Sequence, residues 1–362
     1  MSVVLVIFTR MNKNEVFVIG LMSGTSLDGI DLVYVKFFKN DYKKFKILSS
    51  ETVGYSKEWK TTLQNAIHFS SEKLELLNVS YGKFLGEVLN SFIDKNQINN
   101  IDFIASHGHT ILHQPEKGIT LQIGSGKEIA KATSRKVVYD FRTQDVKLGG
   151  QGAPLVPIGD QLLFSNYDYC LNLGGFSNIS YQENDVRIAY DVCPVNIVLN
   201  YYVNKLGFDY DDSGKIAAKG KLNKELLKEL NNLEFYKIKP PKSLGLEWVQ
   251  KNIFPLIDNL EKDVPSILRT FVEHIAIQLS AVIKSDSVLI TGGGAFNVFL
   301  IKRLEDVLGV KILLINKELI DFKEALIFAF LGVLRVDNQV NCLKSVTGAI
   351  KDHSSGKIFI PN

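Results

Sequence analysis

The chain has 362 residues, 46% hydrophobic and 22% charged, with a formal net charge of +3. That length supports a large buried core and favours two domains, while the small net charge, with no block of basic residues, excludes a nucleic-acid surface built on electrostatics. Cys170, Cys193 and Cys342 are too few and too scattered for a disulfide framework or a zinc site, and no apolar run is as long as a membrane span. A cytoplasmic enzyme is the expected class.

Residues 1–14 read as a disordered or start-site extension. Ser2–Phe8 is apolar but lacks the basic flank and small-residue cleavage site of a signal peptide. Val16–Leu21 and Ile30–Val35 alternate and are rich in Val and Ile, so they predict a β-hairpin. Its tip, Ser23-Gly24-Thr25-Ser26-Leu27-Asp28-Gly29, offers unshielded backbone N–H groups and three hydroxyls, the chemistry of a phosphate cradle. Asp28 repels an anion and instead suits a hydrated Mg²⁺ or a sugar hydroxyl.

Phe45–Val53 reads as a third strand, and 58–98 has helical spacing through Leu74, Leu77, Phe84, Leu85, Val88 and Leu89. Ile101–Ser106 is a buried strand ending at His107-Gly-His109, whose imidazoles suit supporting hydrogen bonds better than a metal. Thr120–Ile123, a helix over Gly126–Ser134 and a strand over Lys136–Phe141 complete a βββαβαβ order, an α/β domain. The polar stretch after it holds Arg142, able to meet a carboxylate or phosphate bidentately, and Gly149-Gly150-Gln151-Gly152, able to bring main chain and Gln151 to a polar ligand.

A second cycle repeats the plan. Tyr169–Asn172 begins it, Asn172-Leu-Gly-Gly-Phe-Ser-Asn-Ile-Ser180 reads as a strand, a Gly/Ser/Asn turn and a strand, and Arg187–Asp191 follows as a further strand before a helix over Pro194–Leu206. Asp191 stands at a strand end, where a carboxylate serves as a general base or caps the next helix. The Lys- and Glu-rich region 222–266 is helical around Pro240-Pro241. After it come a helix over Ile267–Lys284, a strand over Ser287–Thr291, a helix over Val298–Leu308, a strand over Ile312–Ile315 and a helix over Phe322–Leu334. Gly292-Gly293-Gly294 lacks the third glycine of a dinucleotide fingerprint, but lets the backbone approach a nucleotide beside a helix start. The expected domains are 15–168 and 169–344, with 345–362 packing back on the first.

In combination and in order, several motifs resemble the anhydro-N-acetylmuramic acid kinase family from about Val16 to Pro361. In the first cycle they are the hairpin tip 23–29, Ser106-His-Gly-His-Thr110, Thr120-Leu-Gln-Ile-Gly124, Asp140-Phe-Arg142 and Asp145 with Gly149-Gly-Gln-Gly-Ala-Pro-Leu155. In the second they are Asn172-Leu-Gly-Gly175 with Asn178-Ile179, Gly292–Gly294 with Asn297, and Lys323-Glu-Ala325. The resemblance implies two duplicated actin-like (ribonuclease H-like) α/β domains with a central nucleotide cleft. It implies an ATP- and Mg²⁺-dependent kinase that hydrolytically opens 1,6-anhydro-N-acetylmuramic acid and phosphorylates O6, and a homodimer that engages neither nucleic acid nor membrane.

By the same resemblance, Gly24, Thr25, Ser26, Leu27, Asp28, Gly29, Ile30 and Asp31 meet the ATP phosphates, and Gly174, Gly175, Gly292, Gly293, Gly294 and Asn297 the nucleotide. Asp28 would reach the metal through water. Asp191 is the catalytic base and Glu324 lies beside the sugar, while charge, position and the polar loop itself assign His107, Arg142, Gly149, Gly150, Gln151 and Gly152 to the sugar as well. The chain departs from the family pattern at Asp191-Val-Cys-Pro194, where Asp-Thr-Gly-Pro is common. It also departs at His109, where glutamine is usual, and at Lys147, where a small residue is common.

Overall fold

The computed structural model describes residues 14–24, 27–312 and 315–361. The extension 1–13, the tip residues Thr25 and Ser26, and the middle of the strand expected over Ile312–Ile315 lie outside them. The chain divides into two compact units: residues up to Gly152 with Glu324–Cys342 and Ala349 onward, and Ala153–Lys323 with Leu343–Gly348.

In the first unit, β1 (Glu15–Ser23) and β2 (Ile30–Phe38) pair antiparallel from Glu15↔Phe38 to Ser23↔Ile30, and β3 (Lys46–Val53) continues the meander. On the other side of β1 lie β4 (Phe103–Gln114) and β6 (Val137–Tyr139) in parallel, then the C-terminal strand Lys357–Phe359 antiparallel to β6. Val18, Ile19, Leu21, Ile30, Leu32 and Val33 are fully buried, so the alternation of the hairpin gives way to runs buried on both faces. The helical spacing of 58–98 resolves into two helices, Lys57–Asn65 and Ser71–Lys95. Ser70 breaks the run by turning extended and capping the second helix through the Lys73 N–H.

β4 runs further than its apolar stretch foretells. Its last residues pair antiparallel with β5 (Ile119–Ile123), so His107-Gly108-His109 lies inside the strand and not at its end. Gly108 takes φ +73° there, where a Cβ would strike the Ile123 carbonyl.

The second unit repeats the arrangement with β7 (Tyr169–Leu173), β8 (Phe176–Glu183) and β9 (Val186–Pro194) antiparallel, and β10 (Val288–Thr291) parallel to β7. The helix Val264–Val282 starts at Asp263, whose carboxylate accepts the Ser266 N–H, and buries Ile267, Leu268, Phe271, Val272, Ile275 and Leu279. Among the described residues, no helix is long and apolar enough to cross a membrane.

The sequence reading divides the domains after residue 168, whereas contacts place 153–168 with the second unit and Glu324–Cys342 with the first. Side-chain chemistry explains both differences. Asp160, on the helix Pro157–Leu163, sits 2.7 Å from Lys323 Nζ and accepts the Ser180 hydroxyl. The later part of the helix Lys317–Val336 instead lies against β1 and β4, where a Cβ on Gly20 would come within 2.2 Å of the Ala325 carbonyl and one on Gly332 within 2.8 Å of Ala105 Cβ.

His274 tests how burial couples to pH. It bonds Asn231 Oδ1 at 2.7 Å and the Tyr236 hydroxyl at 2.8 Å, and burial holds its pKa down to about 3. Burial likewise holds His109 down to about 4. The unfolded chain binds these protons below about pH 6.5 while the folded chain does not, so stability is full above that pH and is lost as pH falls toward 4. Each histidine removes up to about 3 kcal/mol by pH 4. Urea midpoints measured from pH 7.5 to 4.5 should fall steadily, and the fall should be smaller in His274→Gln. A midpoint flat across that range would show that neither histidine is held neutral.

Candidate active site

At the end of β1, Ser23 anchors the base of the hairpin tip. Its hydroxyl lies 2.5 Å from the Tyr55 hydroxyl, 3.0 Å from Tyr81 and 2.9 Å from His109 Nδ1, all buried. Burial raises both phenols, so the cluster is uncharged near neutrality and fixes the tip by hydrogen bonds alone. Above it Leu27 takes φ +60°, and a Cβ on Gly29 would lie 2.6 Å from Thr52. The turn is thereby pinned against β3, with Asp28 exposed. Asp31, half-buried on β2, accepts the hydroxyl of its cross-strand neighbour Thr52 on β3 at 2.6 Å.

A second group in this unit gathers around Arg142. Its Nε donates to His107 Nε2 at 3.0 Å and its Nη1 to the Gly152 carbonyl at 2.7 Å. His107 Nδ1 faces the Gly108 carbonyl, which assigns the proton to Nδ1 and leaves Nε2 as acceptor. Burial first, and the Arg142 charge second, hold His107 well below its usual range. Burial pulls Arg142 down to about 10, and Glu324 is the leading charge resisting that. Phe328, one helical turn beyond Glu324, sets its ring tilted against His107 and beneath the Arg142 guanidinium.

The glycine loop is fixed from below. Asp145 Oδ2 accepts the Gly152 N–H at 2.7 Å, and a Cβ on Gly150 would strike that same oxygen. Gly149 has open space and Gln151 is exposed. The structure therefore brings Arg142, Glu324, His107 and Gly149–Gly152 together in one unit. His107 supports Arg142 directly, since its acceptor nitrogen is taken.

The second unit converges at the ends of β7 and β10, the edge where parallel α/β sheets bind ligands. Asp191 is inside β9, and the following helix, Asn196–Asn204, begins beyond it with Val195 at its cap position. The helix-capping reading is thereby excluded. Asn178 Nδ2 donates to one Asp191 oxygen and the Leu244 N–H donates to the other at 2.7 Å. Burial raises the Asp191 pKa and these two donors pull it back part of the way. The result is an oriented carboxylate with heightened basicity.

Nearby, Asn172 Nδ2 donates to Asn178 Oδ1 at 3.3 Å, and the main chain of Gly174 and Gly175 accepts from Asn196 and Val195. The glycines divide by cause. A Cβ on Gly292 would meet Asn172 and Leu173, and one on Gly294 would meet Leu173, so packing alone demands both. Gly175 and Gly293 have room about them, which suits close approach by a ligand. Asn297 caps the helix Val298–Leu308 through the Leu300 N–H. Sequence reasoning did not single out Tyr55, Tyr81, Phe328 or the Leu244 amide. None carries a local motif, and only the fold brings them to these groups.

Both units thus consist of three antiparallel strands continued by a parallel one, with polar glycine turns at the strand ends. That plan defines the actin-like fold of ATP-dependent sugar kinases. Residues 16–361 match the family model described as anhydro-N-acetylmuramic acid kinase. The anhydro-N-acetylmuramic acid kinase of Zymomonas mobilis is 36% identical, over 94% of this chain and 98% of that protein. The enzyme of the same name from Francisella tularensis subsp. novicida is 34% identical over 92% and 96%, and that of Haemophilus influenzae 32% over 96% and 99%. The chain belongs to the anhydro-N-acetylmuramic acid kinase family.

Proposed function

We propose that this chain opens 1,6-anhydro-N-acetylmuramic acid with water and transfers the γ-phosphoryl of ATP to O6. The products are N-acetylmuramic acid 6-phosphate and ADP. This makes it a phosphotransferase with an alcohol acceptor, placed in cytoplasmic recycling of peptidoglycan sugars and acting as a homodimer. Family membership supports the reaction class, and the observation that carries the mechanism is the Asp191 carboxylate, held by Asn178 and the Leu244 amide and free of any capping duty.

In this reading Asp191 takes a proton from a water whose oxygen bonds to the anomeric carbon. The bond from that carbon to O6 breaks, and O6 bonds to the γ-phosphorus as the bridging oxygen of ADP leaves. Orientation of the carboxylate by two donors supplies the positioning that such a step requires. The hairpin tip takes the ATP phosphates on its main chain, and Gly174, Gly175 and Gly292–Gly294 approach the nucleotide. Asp28 offers an exposed carboxylate, the hard oxygen donor that Mg²⁺ accepts, and would hold the ion through water. When bound, Mg²⁺ neutralises charge on the phosphates.

Arg142 is proposed to pair with the lactyl carboxylate, with His107 and Gly152 setting its angle. In Arg142→Ala the KM for the anhydro-sugar should rise roughly 10- to 100-fold, the weight of a charge-assisted hydrogen bond. An unchanged KM would remove Arg142 from the sugar site.

The reaction is tested by incubating the protein with Mg-ATP and the anhydro-sugar in ¹⁸O-water and weighing the product. One phosphoryl group together with one water-derived ¹⁸O establishes coupled opening and transfer. Phosphorylation without ring opening would make the chain an ordinary sugar kinase.

A further inference from the structure

Asp145, which braces the glycine loop through one oxygen, also meets Cys342 and His353, and the donor atoms of the three gather within 4.8 Å of one another, all buried. Cys342 Sγ is 3.0 Å from Asp145 Oδ1, and His353 Nε2 is 3.6 Å from that same oxygen. We propose that these three side chains form a buried site for a divalent transition-metal ion of the zinc type.

Four features of the fold support it. Cys342 and His353 form an isolated antiparallel bridge, exchanging both main-chain hydrogen bonds at 3.1 Å. Directly opposed residues of such a pair project side chains to the same face, so sulfur and imidazole are delivered together. The bridge is braced without a metal. Asn341 Nδ2 donates to the Leu331 and Ser355 carbonyls, and Asn341 Oδ1 accepts the Ser355 N–H at 2.6 Å.

His353 Nδ1 faces the Lys351 carbonyl at 3.2 Å, which places its proton there and leaves the Nε2 lone pair directed at Asp145. Nε2 is buried with no hydrogen-bond partner. A buried ring nitrogen 3.6 Å from a carboxylate oxygen, with no hydrogen bond of its own, leaves a donor atom that a cation can engage. The outer contacts also match those of a metal site. The histidine's other nitrogen donates to a carbonyl, and the carboxylate's other oxygen holds the Gly152 N–H at 2.7 Å.

The donor set fits the ion. Sulfur, imidazole and carboxylate are zinc ligands, and metal–ligand bonds of about 2.0–2.3 Å separate tetrahedral donors by roughly 3.3–3.6 Å. The observed separations of 3.0 and 3.6 Å lie near that range, and all three donors lie within 4.8 Å of one another. Thiolate and carboxylate together balance a divalent charge, as a buried site requires, and a water completes the fourth position. Binding releases the thiol proton to solvent. The ion would tie the C-terminal segment to Asp145 and so to the base of the loop 149–152.

The test uses the full chain. Protein grown with zinc and dialysed should carry about one zinc per chain by mass spectrometry of the metal. Metal-free protein titrated with Co²⁺ should show a thiolate-to-cobalt charge-transfer band in the near ultraviolet at one equivalent. Cys342→Ala and His353→Ala should each weaken Co²⁺ binding at least about 100-fold, more than loss of an outer-shell partner, while Cys170→Ala leaves it intact. The wild-type band decides the matter even if a variant fails to fold. Substoichiometric zinc with no band, or a metal retained in both variants, would overturn the site.

Discussion

Asp191→Asn is expected to fold normally and to lose turnover by about 10²- to 10⁴-fold, the usual weight of a positioned general base. The amide keeps an oxygen for the Leu244 N–H, so the main chain there stays held, while its NH2 replaces the acceptor of Asn178 Nδ2 and cannot take a proton from water. The pH profile separates this from a structural loss. Burial raises the Asp191 pKa, so wild-type kcat/KM should fall on the acid side as the carboxylate protonates. The residual activity of the variant should lack that limb. A near-native rate, or an unchanged acid limb, would take Asp191 out of the reaction.

Asp160→Ala carries the second large effect, on stability. Asp160, Arg187 and Lys323 are all buried in the second unit, with Asp160 Oδ1 at 2.7 Å from Lys323 Nζ. Its Oδ2 accepts the Ser180 hydroxyl, which in turn accepts Arg187 Nη2 at 2.7 Å. Burial pushes the Lys323 ammonium down, and the groups around it, led by the Asp160 carboxylate, together raise it. Removing the carboxylate leaves buried cations without their counter-charge, at a cost of about 3–5 kcal/mol. For a unit of this size that lowers the thermal midpoint by roughly 6–20 °C. Asp160→Ala combined with Lys323→Met should recover part of the loss, because one orphaned charge goes with the carboxylate. A midpoint within about 2 °C of wild type in Asp160→Ala would mean that the network contributes less than 1 kcal/mol.

The hairpin β1–β2, the repeated strand plan and the local turn chemistry are legible along the chain, because alternation, glycine and capping residues act within a few positions of one another. The sequence also carries the family, through motifs whose order spans nearly the whole chain. Its misjudgements lie where distant segments meet. The His107-Gly-His109 strand continues because β5 pairs with it, which no property of residues 107–114 announces. Asp191 and its capping alternative were indistinguishable in sequence, since both place an aspartate before a helix. The capping alternative falls because β9 runs on to Pro194 and the helix opens at Asn196 with Val195 at its cap position, and the Leu244 amide that holds the carboxylate lies 53 residues away.

Asp145 and Cys342, 197 residues apart, carry no spacing motif between them, and their meeting is a consequence of the C-terminal segment returning to the first unit. Local propensity writes elements into the chain. Burial, paired charges and long-range main-chain bonds decide which of their side chains share a site.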